Sequence, residues 1–130
     1  MKVLIVGMGI GQLYKSIYEN KLYDVTTVDQ DKPADHWDIE QVNGEFDIAH
    51  ICTPNWTHGT IARTIADRCK IVFVEKPGLR TSDSWEALVH TFPNTRFAMV
   101  KNNQFRHNLP ELYIKARQSD KIILNWHNYN

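Results

Sequence analysis

Lys2-Val3-Leu4-Ile5-Val6-Gly7-Met8-Gly9-Ile10-Gly11-Gln12 decides how this chain is read. A continuous apolar run that ends in glycines reads as a strand buried on both faces, passing through a tight turn into a helix. The glycine pattern approaches the G-x-G-x-x-G template, in which backbone N–H groups and a helix N-terminus come close to a diphosphate that side chains would block. That template wants its third glycine at position 12, where this chain has Gln12, with Gly11 one residue early. Two readings therefore stand, a phosphate cradle or a glycine turn that only packs helix on strand.

Outward from the turn, strand-like and helix-like runs alternate. Strands are expected at Lys2 to Gly7, Tyr23 to Asp29, Phe46 to Cys52, Lys70 to Glu75 and Thr95 to Lys101. Helical spacing joins Leu13, Ile17 and Tyr18, then Ile61, Ala62, Ile65 and Ala66, then Trp85, Leu88 and Val89, each as one buried stripe. The polar stretch Gln30 to Gly44 holds at most a short third strand near Asp35 to Asp38 and a helical turn around Asp38 to Val42. Ser82 is the expected N-cap of the Trp85 helix and Thr57 that of the Ile61 helix, while Asn108-Leu109-Pro110 opens another helix through about Gln118. The pattern predicts an α/β fold, a Rossmann-type doubly wound parallel sheet with helices on both faces and, if the short strand exists, the order 3-2-1-4-5-6. Ligand belongs at the switch point between the first strand and the strand ending at Cys52.

Composition narrows the function classes. With 130 residues, 42% of them hydrophobic and 23% charged, the chain suits one compact domain with a buried core. Its formal charge of zero supplies no basic field for nucleic acid or anionic lipid, and no apolar run approaches the ~20 residues of a membrane helix. Two cysteines, Cys52 and Cys69, make no disulfide framework, so the expected compartment is the cytoplasm. Six scattered histidines show no paired zinc spacing, and no metal is expected. His50 reads as a core histidine, and Trp37, Trp85 and Trp126 read as packing residues.

Three segments carry chemistry besides the glycine turn. Asp29 ends the second strand about 20 residues beyond the glycines, where a carboxylate accepts hydrogen bonds from an adenosine ribose and repels a 2′-phosphate. No arginine follows it, only Gln30, Asp31 and Lys32, which favours NAD over NADP. A loop acid or helix cap is the alternative. Cys52-Thr53-Pro54-Asn55-Trp56-Thr57-His58 leaves the strand at the switch point; its Thr53, Asn55 and Thr57 equally suit an ordinary turn. Val74-Glu75-Lys76-Pro77-Gly78 sets a lysine between a buried strand and a proline turn, able to donate to a substrate oxygen or to stand as a solvated surface lysine.

Together, the glycine turn, Asp29, the Thr-Pro-Asn-x-x-His segment at 53 to 58 and Glu75-Lys76-Pro77 resemble the Gfo/Idh/MocA family of glucose-fructose oxidoreductase, inositol dehydrogenase and rhizopine catabolism proteins. The resemblance runs from Met1 to about Gln118. It implies an N-terminal Rossmann domain that binds NAD, or less favourably NADP, for hydride transfer at a carbon of a sugar, inositol or related compound. Carried over by position, Gly7, Gly9 and Gly11, with Met8 and Ile10 between them, would meet the pyrophosphate, and Asp29 the adenosine ribose. Thr53, Pro54, Asn55 and His58 would line the nicotinamide half. Glu75 and Lys76 match the signature pair and are expected at the cofactor, and Lys76, beside the nicotinamide ribose and the substrate, is the expected catalytic residue. Asn103 to Arg106 fall where members run toward the substrate domain.

The resemblance also implies a division at 1–118, the dinucleotide-binding domain, and 119–130, a tail resembling the first strand of an absent C-terminal domain. Lys121 to Tyr129 alternates, with Ile122, Leu124 and Trp126 on one face. Such a strand favours pairing with a second copy, so a homo-oligomer is expected. An incomplete oxidoreductase is the leading expectation; a stand-alone, non-catalytic nucleotide-binding or partner-binding module is the alternative.

Overall fold

The computed structural model describes residues 1–101. The Asn108 helix, the strand at Lys121 to Tyr129, Trp126, the segment Asn103 to Arg106 and the 118/119 division lie outside the described residues. Within them, β1 (Lys2–Val6), β2 (Asp24–Val28), β3 (Phe46–Ile51), β4 (Cys69–Glu75) and β5 (Arg96–Val100) alternate with α1 (Gly11–Asn20), α2 (His58–Ile65) and α3 (Ser82–Thr91). The five strands form one sheet in the order β2-β1-β3-β4-β5, and every pair is parallel. Each expected strand is present to within a residue or so of its expected ends.

Alternation along the central strands feeds two cores. Leu4, Val6, Ala49, Ile51, Val72 and Val74 face Ala62, Ile65 and Ala66 of the α2 segment and Leu88 of α3. Val3, Ile5, Ile48, Ile71 and Phe73 face the opposite way, toward Tyr14 and Tyr18 of α1. Helices therefore cover both faces, which is the doubly wound arrangement and accounts for the unbroken apolar runs of the strands.

Several local expectations are corrected. The short third strand is reduced to a single bridge between Val28 and His36, because the Asp35 carboxylate takes the Thr27 N–H at 2.9 Å and the Thr27 hydroxyl at 3.1 Å where a ladder would need backbone groups. The turn that follows is a 3-10 turn at Ile39–Gln41, capped by Asp38. The cap of α3 is Thr81 rather than Ser82, its side chain accepting from Ser84 N–H at 3.1 Å. Thr57 occupies the N-cap position of α2 without capping, its hydroxyl standing 2.6 Å from both Thr53 Oγ1 and the Pro54 carbonyl. Trp37 is 62% exposed and Val89 44% exposed, so neither packs as expected.

Candidate functional site

In a parallel sheet all strands point one way, so the loops after β1, β2, β3 and β4 share one edge. The sheet order sets Asp29, the glycine turn, the Thr53 loop and Glu75-Lys76 side by side along it. After β1 the chain turns toward α1 and β2, whereas after β3 it turns toward α2 and β4. In a doubly wound sheet this divergence is where a ligand crevice belongs.

Gly7 has φ +96°, in the left-handed region that only glycine enters without cost, and a β-carbon there would lie 2.8 Å from the Cys52 carbonyl carbon. Gly7 N–H donates to the Val28 carbonyl at 2.8 Å, and Cys52 N–H to the Val6 carbonyl at 2.7 Å, so the first loop is pinned to both neighbours. Gly11 serves packing. It is buried at the start of α1, and a β-carbon on it would strike Ile5 Cγ2 at 2.9 Å. This is the close helix-on-strand approach that the template gives to its third glycine, accomplished here one residue early. Gly9 is different: its missing β-carbon faces open space, with only Lys32 Cε at 4.0 Å. Nothing among the described residues requires glycine at that position.

Asp29 reaches back over the same turn. Its Oδ2 accepts from Met8 N–H at 2.6 Å, and its Oδ1 accepts from Asp31 and Lys32 N–H at 2.7 and 2.8 Å. Burial works to raise its pKa, yet the N–H groups of Met8, Lys32 and Asp31, with the Lys32 charge, hold the carboxyl below its ordinary value. A carboxylate offers about four acceptor positions, so the three N–H bonds leave room for one further donor such as a ribose hydroxyl. The loop-acid reading of Asp29 and the ligand reading are compatible.

The loop after β3 brings Thr53 partly inside and leaves Pro54, Asn55 and Trp56 exposed. His58 departs from its expected place in the lining. Its ring is fully buried, with Nε2 2.7 Å from the Thr53 carbonyl and Nδ1 2.9 Å from the Gly78 carbonyl. It clasps the Thr53 loop to the turn after β4 and presents no polar atom to a ligand. Gly78 has φ +81°, and a β-carbon there would meet Trp85 at 2.7 Å, so Trp85 does pack as expected, against that turn.

At the end of β4, Lys76 is exposed and its N–H donates to the Val100 carbonyl at 3.0 Å. Glu75 turns inward, accepting from the Tyr14 hydroxyl at 2.5 Å with His50 Nε2 at 3.7 Å. The sequence reading missed Tyr14. Its signal was the Tyr14/Tyr18 pair at helical spacing, two aromatics with polar tips facing a strand that carries His50. Among the described residues no group of three His, Cys, Asp or Glu side chains could hold a metal ion, and no helix is long and apolar enough to cross a membrane. A concavity of about 570 Å³ lies at the opposite edge, lined by Lys2, Asp47, Arg68 and Lys70 among others, far from these loops.

A family model described as an oxidoreductase family with an NAD-binding Rossmann fold, Gfo/Idh/MocA, matches residues 17–101. No curated protein matches the chain. Among solved structures, the WlbA dehydrogenase from Bordetella pertussis in complex with NADH and UDP-GlcNAcA is similar at 18% identity over 90% of this chain, with a TM-score of 0.66. An oxidoreductase from Bacillus cereus is similar at 19% identity over 78%, TM-score 0.62. An oxidoreductase from Agrobacterium radiobacter in complex with NAD+, L-tartaric acid and magnesium is similar at 18% identity over 89%, TM-score 0.59. At these identities the likeness is one of fold. The chain spans 42%, 34% and 39% of those three structures, respectively.

Proposed function

This chain belongs to the Gfo/Idh/MocA oxidoreductase family with an NAD-binding Rossmann fold, and from that premise we propose that its residues hold NAD along the loop edge for hydride exchange with a sugar, inositol or related hydroxyl-bearing substrate. The observation that carries the reading is the open face of Gly9 beside Asp29. Packing among the described residues leaves room for a side chain there, whereas a dinucleotide's diphosphate needs that space.

In this reading the N–H groups of the Gly7 to Gly11 turn face the diphosphate, and Asp29 accepts from the adenosine ribose while its charge disfavours a 2′-phosphate. Thr53, Pro54 and Asn55 border the nicotinamide half, with His58 holding their loop in place from below. When bound, NAD supplies the hydride acceptor. The chain's part is to orient it and to present the Lys76 ammonium at the same edge, where it would donate a hydrogen bond to a substrate oxygen and steady negative charge there. The sugar class is supported by the UDP-GlcNAcA of the WlbA complex.

Calorimetric titration with NAD tests the reading. Saturable one-site binding that is lost in Gly9→Val, with the unfolding midpoint unchanged, is the expected result. Equal binding by Gly9→Val, or no binding by the unaltered chain, overturns it.

A further inference from the structure

The turn from Gly7 to Gln12 contains no lysine or arginine, so a dianionic diphosphate lying on it would meet only backbone N–H groups there. Lys32 comes from elsewhere. Its backbone N–H is fixed by the Asp29 carboxylate at 2.8 Å, which closes a short turn after β2 and sends the lysine side chain back over the glycine turn. Its Cε stands 4.0 Å from the point that a β-carbon on Gly9 would occupy, and among the described residues, the chain neighbours of Gly9 apart, it is the one atom within 4 Å of that point.

Resting on the cofactor reading above, we propose that Lys32 is a cofactor-binding residue whose ammonium pairs with the diphosphate of the dinucleotide. The position decides between the two phosphates it could serve. A lysine recognising a 2′-phosphate would have to extend past the Asp29 carboxylate, toward the ribose; this one lies over Gly9, where the diphosphate crosses. Asp29 and Lys32 then divide the work, the carboxylate taking a ribose hydroxyl and the ammonium balancing phosphate charge. An ammonium acts there as a point charge needing no bidentate geometry, so arginine should substitute and neutral residues should not. Because the backbone and not the side chain of Lys32 holds the Asp29 turn, removing the side chain leaves the fold intact.

The test is calorimetric titration of the full chain with NAD, NADP and adenosine, for the unaltered protein, Lys32→Ala and Lys32→Arg, at two salt concentrations, with unfolding midpoints as the check on folding. Loss of one charge-assisted contact predicts NAD binding weaker on the order of tenfold in Lys32→Ala. Lys32→Arg should bind within about threefold of the unaltered chain, adenosine should be indifferent to the alanine change, and the salt dependence of NAD binding should flatten in Lys32→Ala. NAD binding unchanged in Lys32→Ala overturns the inference while leaving the cofactor reading standing. A loss confined to NADP also overturns it, assigning the lysine to a 2′-phosphate. Failure of the unaltered chain to bind NAD overturns both.

Discussion

The Tyr14 hydroxyl donates to Glu75 Oε2 at 2.5 Å across 61 positions of sequence, tying the helix after the glycine turn to the strand that ends in Glu75-Lys76-Pro77. His50 completes the cluster: its ring centroid is 3.9 Å from that of Tyr14, its Nδ1 is 3.2 Å from the Tyr18 hydroxyl, and its Nε2 is 3.7 Å from the same Glu75 oxygen. Two loops that the sequence presents as separate motifs are thus fixed to one another by side chains between α1 and the sheet.

Tyr14→Phe removes the hydrogen bond and leaves the ring. Burial, followed by the Glu75 bond and charge, holds the Tyr14 phenol far above its ordinary range, so at neutral pH it is a donor. A bond to a charged group contributes roughly 1.5 to 3 kcal/mol. The variant should therefore lose about that much stability in urea unfolding at neutral pH. An unchanged midpoint would show that water replaces the hydroxyl at Glu75.

His50 gives the fold an acid limb. Burial lowers its pKa from the ordinary 6.5, against an opposing pull from Glu75. The unfolded chain then binds the proton more readily than the folded one, so stability rises with pH through the window that ends near 6.5 and falls on acidification below it. His50→Phe removes that group and should flatten the slope of unfolding free energy against pH just below 6.5. Retention of the full slope would place its origin elsewhere, Asp29 and Asp47 being held below their ordinary values and so acting at lower pH.

The strands were legible because each central one is apolar on both faces, a pattern that few alternatives produce, and their ends follow from Gly7, Asp29, Thr53 and Glu75-Lys76. The edge was less so. Asp35 to Asp38 fails as a strand because side-chain acceptors displaced the ladder, and periodicity does not register that competition. In the site, the motifs gave positions but not directions. Nothing in Thr-Pro-Asn-x-x-His says that His58 turns away into the core, since its partners, the Thr53 and Gly78 carbonyls, become neighbours only after β3 and β4 pair. The packing role of Gly11 was hidden for a similar reason: only the packed Ile5 side chain distinguishes a packing glycine from a cradle.

His58→Ala should be costly for that clasp. It opens a cavity and takes away the ring that stands between the Thr53 and Gly78 carbonyls, for a loss of roughly 2 to 5 kcal/mol. Proteolysis under native conditions should then cut first near 53–57 or 76–80. A variant as stable and as resistant as the unaltered chain would mean that the two loops hold together without the ring.

Asp29→Ala and Asp29→Asn separate charge from scaffolding. Both remove the repulsion of a 2′-phosphate, so in each the preference for NAD over NADP should narrow. The Asp29→Asn variant keeps one acceptor oxygen, enough for the Asp31 and Lys32 N–H groups or for that of Met8 but not for both sides, and should retain more stability than the alanine variant. Calorimetry with both cofactors reads the first effect and thermal unfolding the second. An unaltered chain that binds NADP as tightly as NAD would remove Asp29 from the ribose.

Gly9 and Gly11 offer the sharpest division, because they are two residues apart and do opposite things. A β-carbon on Gly11 would sit 2.9 Å from Ile5 Cγ2, closer than real contacts allow, so Gly11→Ala must displace α1 or the strand and should cost about 1 to 3 kcal/mol. Among the described residues, a β-carbon on Gly9 meets no atom nearer than 4.0 Å. Gly9→Ala should leave the unfolding midpoint unchanged or raise it slightly, since alanine restricts the unfolded chain. If the diphosphate lies over Gly9 as proposed, the same methyl would stand in its way, and NAD affinity should fall on the order of tenfold or more, the equivalent of about 1.4 kcal/mol. The pair is read by denaturation and by calorimetry on both variants. A stable Gly9→Ala that binds NAD as well as the unaltered chain would reduce the glycine turn to a packing device.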